Sequence, residues 1–557
     1  MWIYIQFNKV AKMKKVLFAL FLIFIASANL SAEKIIGVTA FKNLGNTPNL
    51  AWLEIGIAES ISLKLRNVKE YIVIDRTNVD KVMKEIQLGQ SGLIDEKTAK
   101  KAGKALNADF LVVGNFQSFG NQIRISAKIV EVESHRVLKQ VQSTGLLDNI
   151  FNLEDEIALK IIDESKIEIN KQIKDRINEN FTKNLTAYEF FSKGQQYYYQ
   201  TNYDMAIEMF EKAVDIDKQY SLAYAGLGKA YASKYWHLKN YSNENKESLM
   251  EKSFKYSTRA LEITPNLDEA HLSIAKYYQN VDEAHVSGKW KKCEDATKRV
   301  LDINPNNGEG YFLLSRIYGY DDSKEEIYLN KSLKFNPFLV DAYNNLGIIY
   351  TSQKKYIQAE KAFRKAIELD PEYKTAYMNI GVIYDQQKQY AKAIDMYKTV
   401  IDKYPNYPLG LVNLGIGYRR LNMHDEAIKY FKKAVSVKPD YGFAWSEIGY
   451  YYLGKGEYRE AIDNYQTALK FDPNNKYSLA NIGLCYSRIG KYDEAIRYLT
   501  TAYNNNKDYA YPAGELGNIY HTKLNDTSSA LEWYKKALER DPKNSEYRNK
   551  VEELSRR

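Results

Sequence analysis

The sequence predicts an α+β multidomain chain: a small α/β domain of layered sheet and helix, followed by an all-α superhelical solenoid. Three observations carry this expectation. Six glycines stand 34 residues apart, from Gly347 through Gly381, Gly415, Gly449 and Gly483 to Gly517. A tyrosine follows each by three residues, from Tyr350 to Tyr520, and Pro337, Pro371, Pro405, Pro439 and Pro473 keep the same interval. Residues 33–147 lack that period and alternate strand and helix signals instead. Finally, 557 residues are too many for one hydrophobic core, so a solenoid plus a smaller domain accounts for the length better than a single globule.

The markers follow from how a helix pair packs. In Val340 to Tyr373, the residues Tyr343, Leu346 and Tyr350 share one face of a first helix. Gly347 faces the second helix, where a side chain would hold the backbones apart, and Ala359 offers the matching small surface. Phe363 and Ala366 carry the apolar face of that second helix. Asp370-Pro371 ends it, because proline cannot continue the hydrogen-bond ladder and restricts the residue before it. A 34-residue unit with these markers is identified as a member of the tetratricopeptide repeat (TPR) family. Upstream, Ala187 to Tyr220 fits through Phe190, Gly194, Tyr197, Ala206, Phe210 and Ala213, with Lys218 at the proline position. The next unit, with Tyr224, Leu227, Gly228 and Tyr231, reaches Pro265 only after about 13 extra residues, Trp236 to Glu247 among them. Two further units end at Pro305 and Pro337. The array is therefore read as about ten repeats over residues 184–544, with 545–557 as a capping helix and 148–183 as a helical linker. The resemblance implies a scaffold that holds protein or peptide partners.

In such arrays the first helices line the concave face, and the position two before the repeat glycine points into it. Here that position holds Asn345, Asn379, Asn413, Glu447, Asn481 and Glu515. An amide presents both donors and an acceptor, so a ladder of asparagines suits an extended peptide backbone whatever its side chains. The alternative is that asparagine is simply common at this place in the family. Neighbouring groove positions carry Thr351, Asp385, Arg419, Arg420, Arg488 and His521, so the middle repeats are expected to favour an acidic ligand segment. A lysine-rich clamp for a terminal carboxylate is not apparent.

At the N-terminus, Lys14-Lys15, the apolar run Val16 to Ile25 and Ala26-Ser27-Ala28 have the order of a secretory signal, with cleavage after Ala28 or Ala32 and Met1 or Met13 as the start. Ten apolar residues are too few to span a bilayer. The alternative is an uncleaved anchor. Taking Lys9, Lys12, Lys14 and Lys15 from the formal charge of +9 leaves +5, and lysine alternates with glutamate along the repeats, so nucleic acid is not an expected partner. Cys293 and Cys485 fall in different repeats and read as packed residues rather than a disulfide. The six histidines are scattered singly, and neither a metal nor any other cofactor is expected.

Residues 33–147 begin with a β-branched run, Lys34 to Phe41, followed by an amphipathic helix, Ala51 to Arg66, and a buried strand, Tyr71 to Ile74. Thr77 with Asp80 reads as a capping box opening a helix from Asn78 to Leu88, and Asp95 as the cap of another ending near Leu106. Asp109 to Phe116 is a strand. Gln122 to Val132 alternates, with Ile123, Ile125, Ala127, Ile129 and Val132 on one face, and pairs with Val137 to Gly145. Three stretches, Ile36 to Leu44, Asp75-Arg76 leading into Val79, Val82, Met83 and Glu85, and Ala108 to Gly114 followed by Ile123 to Val132, resemble a superfamily of bacterial envelope domains. Its members include the curli-secretion protein CsgG, the flagellar FlgO-type proteins and the N-terminal domain of TolB. The resemblance implies a periplasmic module that docks on envelope machinery or self-associates. No cysteine lies near the cleavage sites and no insertion is long enough for membrane-spanning hairpins, so pore formation is not expected. Asp75-Arg76 reads as strand-end charge and helix entry.

These features together favour a non-enzymatic periplasmic adaptor, possible outer-membrane association being part of the same expectation. The alternative is a structural oligomer or a secretion and assembly accessory built on the N-terminal domain. An enzyme finds no nucleophile elbow, paired ligand histidines or glycine-rich phosphate loop, so no catalytic residue is expected. Intact-mass analysis of the native protein should find a mature chain starting after Ala28 or Ala32; a chain starting at Met1 or Met13 in the soluble cytoplasm would contradict export.

Overall fold

The computed structural model describes residues 33–45, 47–86, 96–134, 136–238 and 246–556. The signal segment, the Asp95 cap and residues 239–245 of the expected insertion lie outside these. The chain divides into two compact units, Met1–Ala342 and Tyr343–Arg557.

In the first unit, β1 (Lys34–Asn43), β2 (Tyr71–Val73), β3 (Phe110–Phe119), β4 (Gln122–Glu131) and β5 (Arg136–Leu146) form one sheet in the order β2-β1-β3-β4-β5. β1 runs parallel to β2 and β3, with Val38 opposite Val112, and β3, β4 and β5 form an antiparallel meander. Helices α1 (Leu53–Leu65), α2 (Arg76–Glu85) and α3 (Glu96–Ala105) lie in the two parallel connections. They are followed by α4 (Ile150–Glu164) and α5 (Lys171–Ile177). α1 and α4 cover the face carrying Ile123, Ile125, Ala127 and Ile129, and α2 and α3 cover the opposite face. Val132, expected to share the first face, packs with Val130 on the second, because it stands three residues after Ile129 and strand alternation carries it to the opposite side.

Two local expectations are corrected. The cap of α2 is Asp75, whose Oδ1 accepts from the Thr77 amide at 2.8 Å, while Asp80 is drawn instead to the Arg76 guanidinium at 3.0 Å. Arg76 is 2% exposed and also donates to the Val38 carbonyl at 3.2 Å, tying the start of α2 to the sheet. The segment 148–183 is more than a linker. Ile150, Leu153, Ile157 and Ile161 recur at helical spacing and are buried, so α4 folds onto the sheet as a core element.

The rest of the first unit consists of four helix pairs: α6 (Leu185–Tyr199) with α7 (Tyr203–Ile216), α8 (Ser221–Leu238) with α9 (Lys246–Ile263), α10 (Asp268–Asn280) with α11 (Lys289–Ile303), and α12 (Gly308–Ile317) with α13 (Asp322–Phe335). One buried cluster runs from Ile36 and Phe41 through α1 and α4 into Phe210, Tyr220 and Ala270. The α/β layer and the first repeats thus share a core.

The second unit repeats the motif, its first helix straddling the boundary: α14 (Val340–Ser352) with α15 (Tyr356–Leu369), α16 (Lys374–Gln386) with α17 (Tyr390–Lys403), and α18 (Pro408–Arg420) with α19 (His424–Val437). Then follow α20 (Gly442–Lys455) with α21 (Tyr458–Phe471), α22 (Lys476–Arg488) with α23 (Tyr492–Asn505), α24 (Tyr511–Thr522) with α25 (Thr527–Arg540), and a closing helix α26 (Ser545–Ser555). The repeat glycine has a concrete reason. A Cβ at Gly381 would lie 2.3 Å from the Tyr397 ring, so the second helix buries its aromatic in the space a side chain would take. Phe363 does the same at Gly347, more closely than the expected Ala359.

Arg76→Ala should lower unfolding stability by about 2 kcal/mol, since it strips a partner from a buried carbonyl and a half-buried carboxylate. Arg259→Ala, at an exposed pair with Glu262, should cost under about 0.5 kcal/mol. Denaturant midpoints decide the comparison, and equal losses would contradict it.

Candidate functional site

First helices of neighbouring pairs pack on one another, α8 with α10, α20 with α22, and α22 with α24, and so form a continuous face within each unit. In the first unit this face is filled by the α/β layer. α1 crosses α6 at Gly56, where an added Cβ would lie 2.7 Å from Ser192 Oγ and 3.1 Å from Tyr188 Oη. Tyr199 donates to Glu59 at 2.6 Å, and Tyr188 donates to Glu154 on α4 at 2.9 Å while meeting the Trp52 ring edge-on. Arg66 at the end of α1 pairs with Glu269 on α10 at 3.0 Å. The Asn306 amide donates to the Tyr71 carbonyl at 3.2 Å. A cavity of about 480 Å³ remains in this seam, bordered by Lys64, Glu154, Gln195 and Asp268.

The charges are held by opposing forces. Burial disfavours the Glu269 carboxylate, but Lys229 and Arg66 outweigh it and keep its carboxyl below the usual range. At Glu154 burial wins over the hydrogen bonds from Ser60 and Tyr188 and over Lys64, pushing its carboxyl up to about 7.

Across the second unit the corresponding face is built as follows. Asn345 and Asn413 make no side-chain hydrogen bond among the described residues. Asn379 donates to Asn344 of the preceding pair at 2.9 Å, and Asn481 donates to the Tyr465 hydroxyl, also of the preceding pair, at 2.9 Å. Arg419 and Arg420, expected to attract an acidic ligand, already carry carboxylates. Arg419 Nε lies 3.0 Å from Glu447 in the following pair, and Arg420 Nε lies 3.0 Å from Asp385 in the preceding one. Burial raises the Glu447 and Asp385 carboxyls, against the pull of these arginines. Burial also raises Glu515, opposed first by Arg488 and then by hydrogen bonds from Tyr511 and Asn518. Thr351 bonds its own helix at the Gly347 carbonyl, and the His521 Nδ1 is buried without a hydrogen-bond partner.

The sequence reading passed over a further set. The residue after each repeat glycine is Ile348, Val382, Ile416, Tyr450 and Leu484 before Asn518 breaks the series. It kept the same 34-residue interval as the glycines, so the signal was present.

Cys293 and Cys485 are buried, and burial pushes their thiols up to about 11 and about 12. No helix among the described residues is long and apolar enough to cross a membrane, and none of their His, Cys, Asp and Glu groups could hold a metal ion.

Comparison with known proteins follows the two parts of the chain. Tetratricopeptide repeat models match residues 190–220, 340–373, 375–407, 408–441, 440–508 and 481–545. The model of the curli production assembly/transport component CsgG matches residues 23–130. The chain therefore carries TPR repeats behind a CsgG-like N-terminal domain, which makes it a scaffold for protein interaction. Putative adenylate cyclase 3 of Rhizobium meliloti (strain 1021) is 22% identical over 201 residues, 36% of this chain and 32% of that protein. The chain thus spans less than a third of that relative. Among solved structures, a chain of the APC/C hetero-tetramer Cut9-Hcn1 is 19% identical, with 73% of this chain and 83% of that chain covered at a TM-score of 0.38. YrrB, described as a TPR protein with an unusual peptide-binding site, is 22% identical over 33% of this chain and 95% of its own at 0.28. MamA is 27% identical over 31% and 99% at 0.28.

A carboxyl raised by folding stabilises the fold fully only below its unfolded value of 4.5, and that contribution is lost as pH rises toward about 7. Glu154→Gln should therefore be more stable than the parent at about pH 8, by on the order of 3 kcal/mol at most as read from denaturant unfolding, and show little gain at about pH 4. A gain independent of pH would contradict the assignment.

Proposed function

We propose that the protein is a non-enzymatic adaptor of the cell envelope, exported to the periplasm, that holds a protein partner on the inner face of residues 343–557. Its α/β layer is the module that docks on envelope machinery, with outer-membrane association through that module. The observation that carries the reading is the contrast between two equivalent faces. The first four pairs have theirs filled by the chain's own α/β layer, and we assign Asn345, Asn379, Asn413, Glu447, Asn481 and Glu515 to the corresponding face of the second unit as its peptide-binding positions. The CsgG-like match supports the envelope assignment, and the TPR matches support protein binding. Arg419, Arg420 and Arg488 belong to the same groove. The paired state of the first two makes them shapers of the surface rather than free charges for a ligand. Nothing in this arrangement calls for a cofactor or a catalytic group.

A photo-crosslinking residue placed at Asn413 in cells should trap a partner, whereas one at Lys432 on the second helix of the same pair should not. Asn345→Ala with Asn413→Ala should weaken capture several-fold while leaving the melting temperature nearly unchanged, because neither amide supports the seam. Undiminished capture by that folded double variant would remove the groove from the proposal.

A further inference from the structure

The first unit shows which repeat positions touch a protein surface. Counted from the repeat glycine, or from Ala275 where alanine takes its place, three positions meet the α/β layer or the cavity beside it. Six before the glycine stand Tyr188 and Glu269, which bond Glu154 and Arg66. Two before it stands Ser192, against Gly56. One after it stand Gln195, at the 480 Å³ cavity, and Lys229 and Lys276, at a smaller cavity bordered by Asp75. Most of these residues are polar or charged, Leu222 beside the larger cavity being the apolar exception, and most of their partners are too.

In the second unit the same positions have a different chemistry. One after the glycine come Ile348, Val382, Ile416, Tyr450 and Leu484, and Ile348 and Tyr450 are 49% and 46% exposed. Six before it stand Asp341 and Thr375 in the first two pairs, then Leu409, Phe443 and Tyr477, which are 43%, 46% and 57% exposed, and finally Tyr511. Between these apolar rows lies the amide row with Asn345 and Asn413. The charges in the middle of the face are already matched, Arg419 with Glu447 and Arg420 with Asp385. A charged ligand would have to break these pairs, whereas an uncharged one leaves them intact and covers apolar area that water now meets.

We infer that the partner segment held by residues 343–557 is an uncharged extended stretch of a protein, its apolar side chains seated on the Ile348-to-Leu484 row and its backbone on the asparagines. This rests on the groove reading above and specifies its ligand class. Extended backbone fits because it presents alternating donors and acceptors to a row of amides and directs its side chains to the flanking rows.

The test uses the full-length protein and three fluorescent peptides of equal length with blocked ends: leucine alternating with serine, and the same peptide with glutamate or with lysine in place of leucine. The leucine peptide should bind tightest, with affinity little changed between about 0.05 and 0.5 M salt. Ile348→Ser with Tyr450→Ser should weaken it about tenfold or more, and Lys432→Ala, exposed on a second helix outside the groove, should change it less than about threefold. Both variants change exposed or half-exposed side chains, and a circular dichroism melt confirms each fold. If the glutamate peptide binds tightest, with affinity lost on raising salt and on removing the arginines, the apolar ligand class is overturned while the groove stands. If no peptide binds, or if Asn345→Ala with Asn413→Ala leaves all binding unchanged, the groove reading itself falls and the inference falls with it.

Discussion

A helix pair of this kind cannot cover its own inner face. The glycine and the ring it receives, as at Gly381 and Tyr397, close each pair internally, and neighbouring pairs close its flanks. The face formed by the first helices is left over. Everything distinctive about this chain concerns what lies on that face. In the first unit the α/β layer lies there, its α1 brought close by a glycine and held by Arg66, Glu59 and Tyr199. That arrangement joins one face of the five-stranded sheet to the first repeats through a single buried cluster that runs from Ile36 to Ala270.

The same constraint separates structural charge from charge available to a ligand. Lys64 with Asp155, Arg66 with Glu269, and Arg76 with Asp80 are all committed within the first unit. Such buried pairs are weak sources of net stability but expensive to break from one side, which makes them specifiers of the docked geometry. Arg419 with Glu447 and Arg420 with Asp385 are more exposed counterparts within the second unit. They bridge successive repeats and fix the spacing of the rows between which a ligand would lie.

Much of this was legible in the residues. The glycine, tyrosine and proline intervals report contacts made inside one repeat, so a single period exposes them. The strands of the α/β layer were legible for the same reason, since alternation is local. What escaped depended on distant partners. α4 was placed in a linker because the whole segment 149–179 is rich in charge, although Ile150, Leu153, Ile157 and Ile161 mark a buried side. The ion pairs of Arg419 and Arg420 reach 28 and 35 residues along the chain, and nothing at either end announces the other. The docking of α1 reaches further still. The turns inside the repeats were half legible: Gly456 and Gly490 adopt the left-handed backbone that glycine suits, but Lys354 and Lys388 adopt it too, at the same interval.

The central claim is that one inner face is filled by the chain itself and the other is open to a partner. The most direct measurement is the rate of maleimide labelling of single cysteines placed at Ser192 and at Asn413 in the folded full-length protein, with buried Cys293 and Cys485 as slow internal references. The account predicts slow labelling at 192, comparable to those references, and fast labelling at 413. Fast labelling at both positions would mean the α/β layer does not occupy its face, and slow labelling at 413 would mean the second face is already covered; either result would contradict the account.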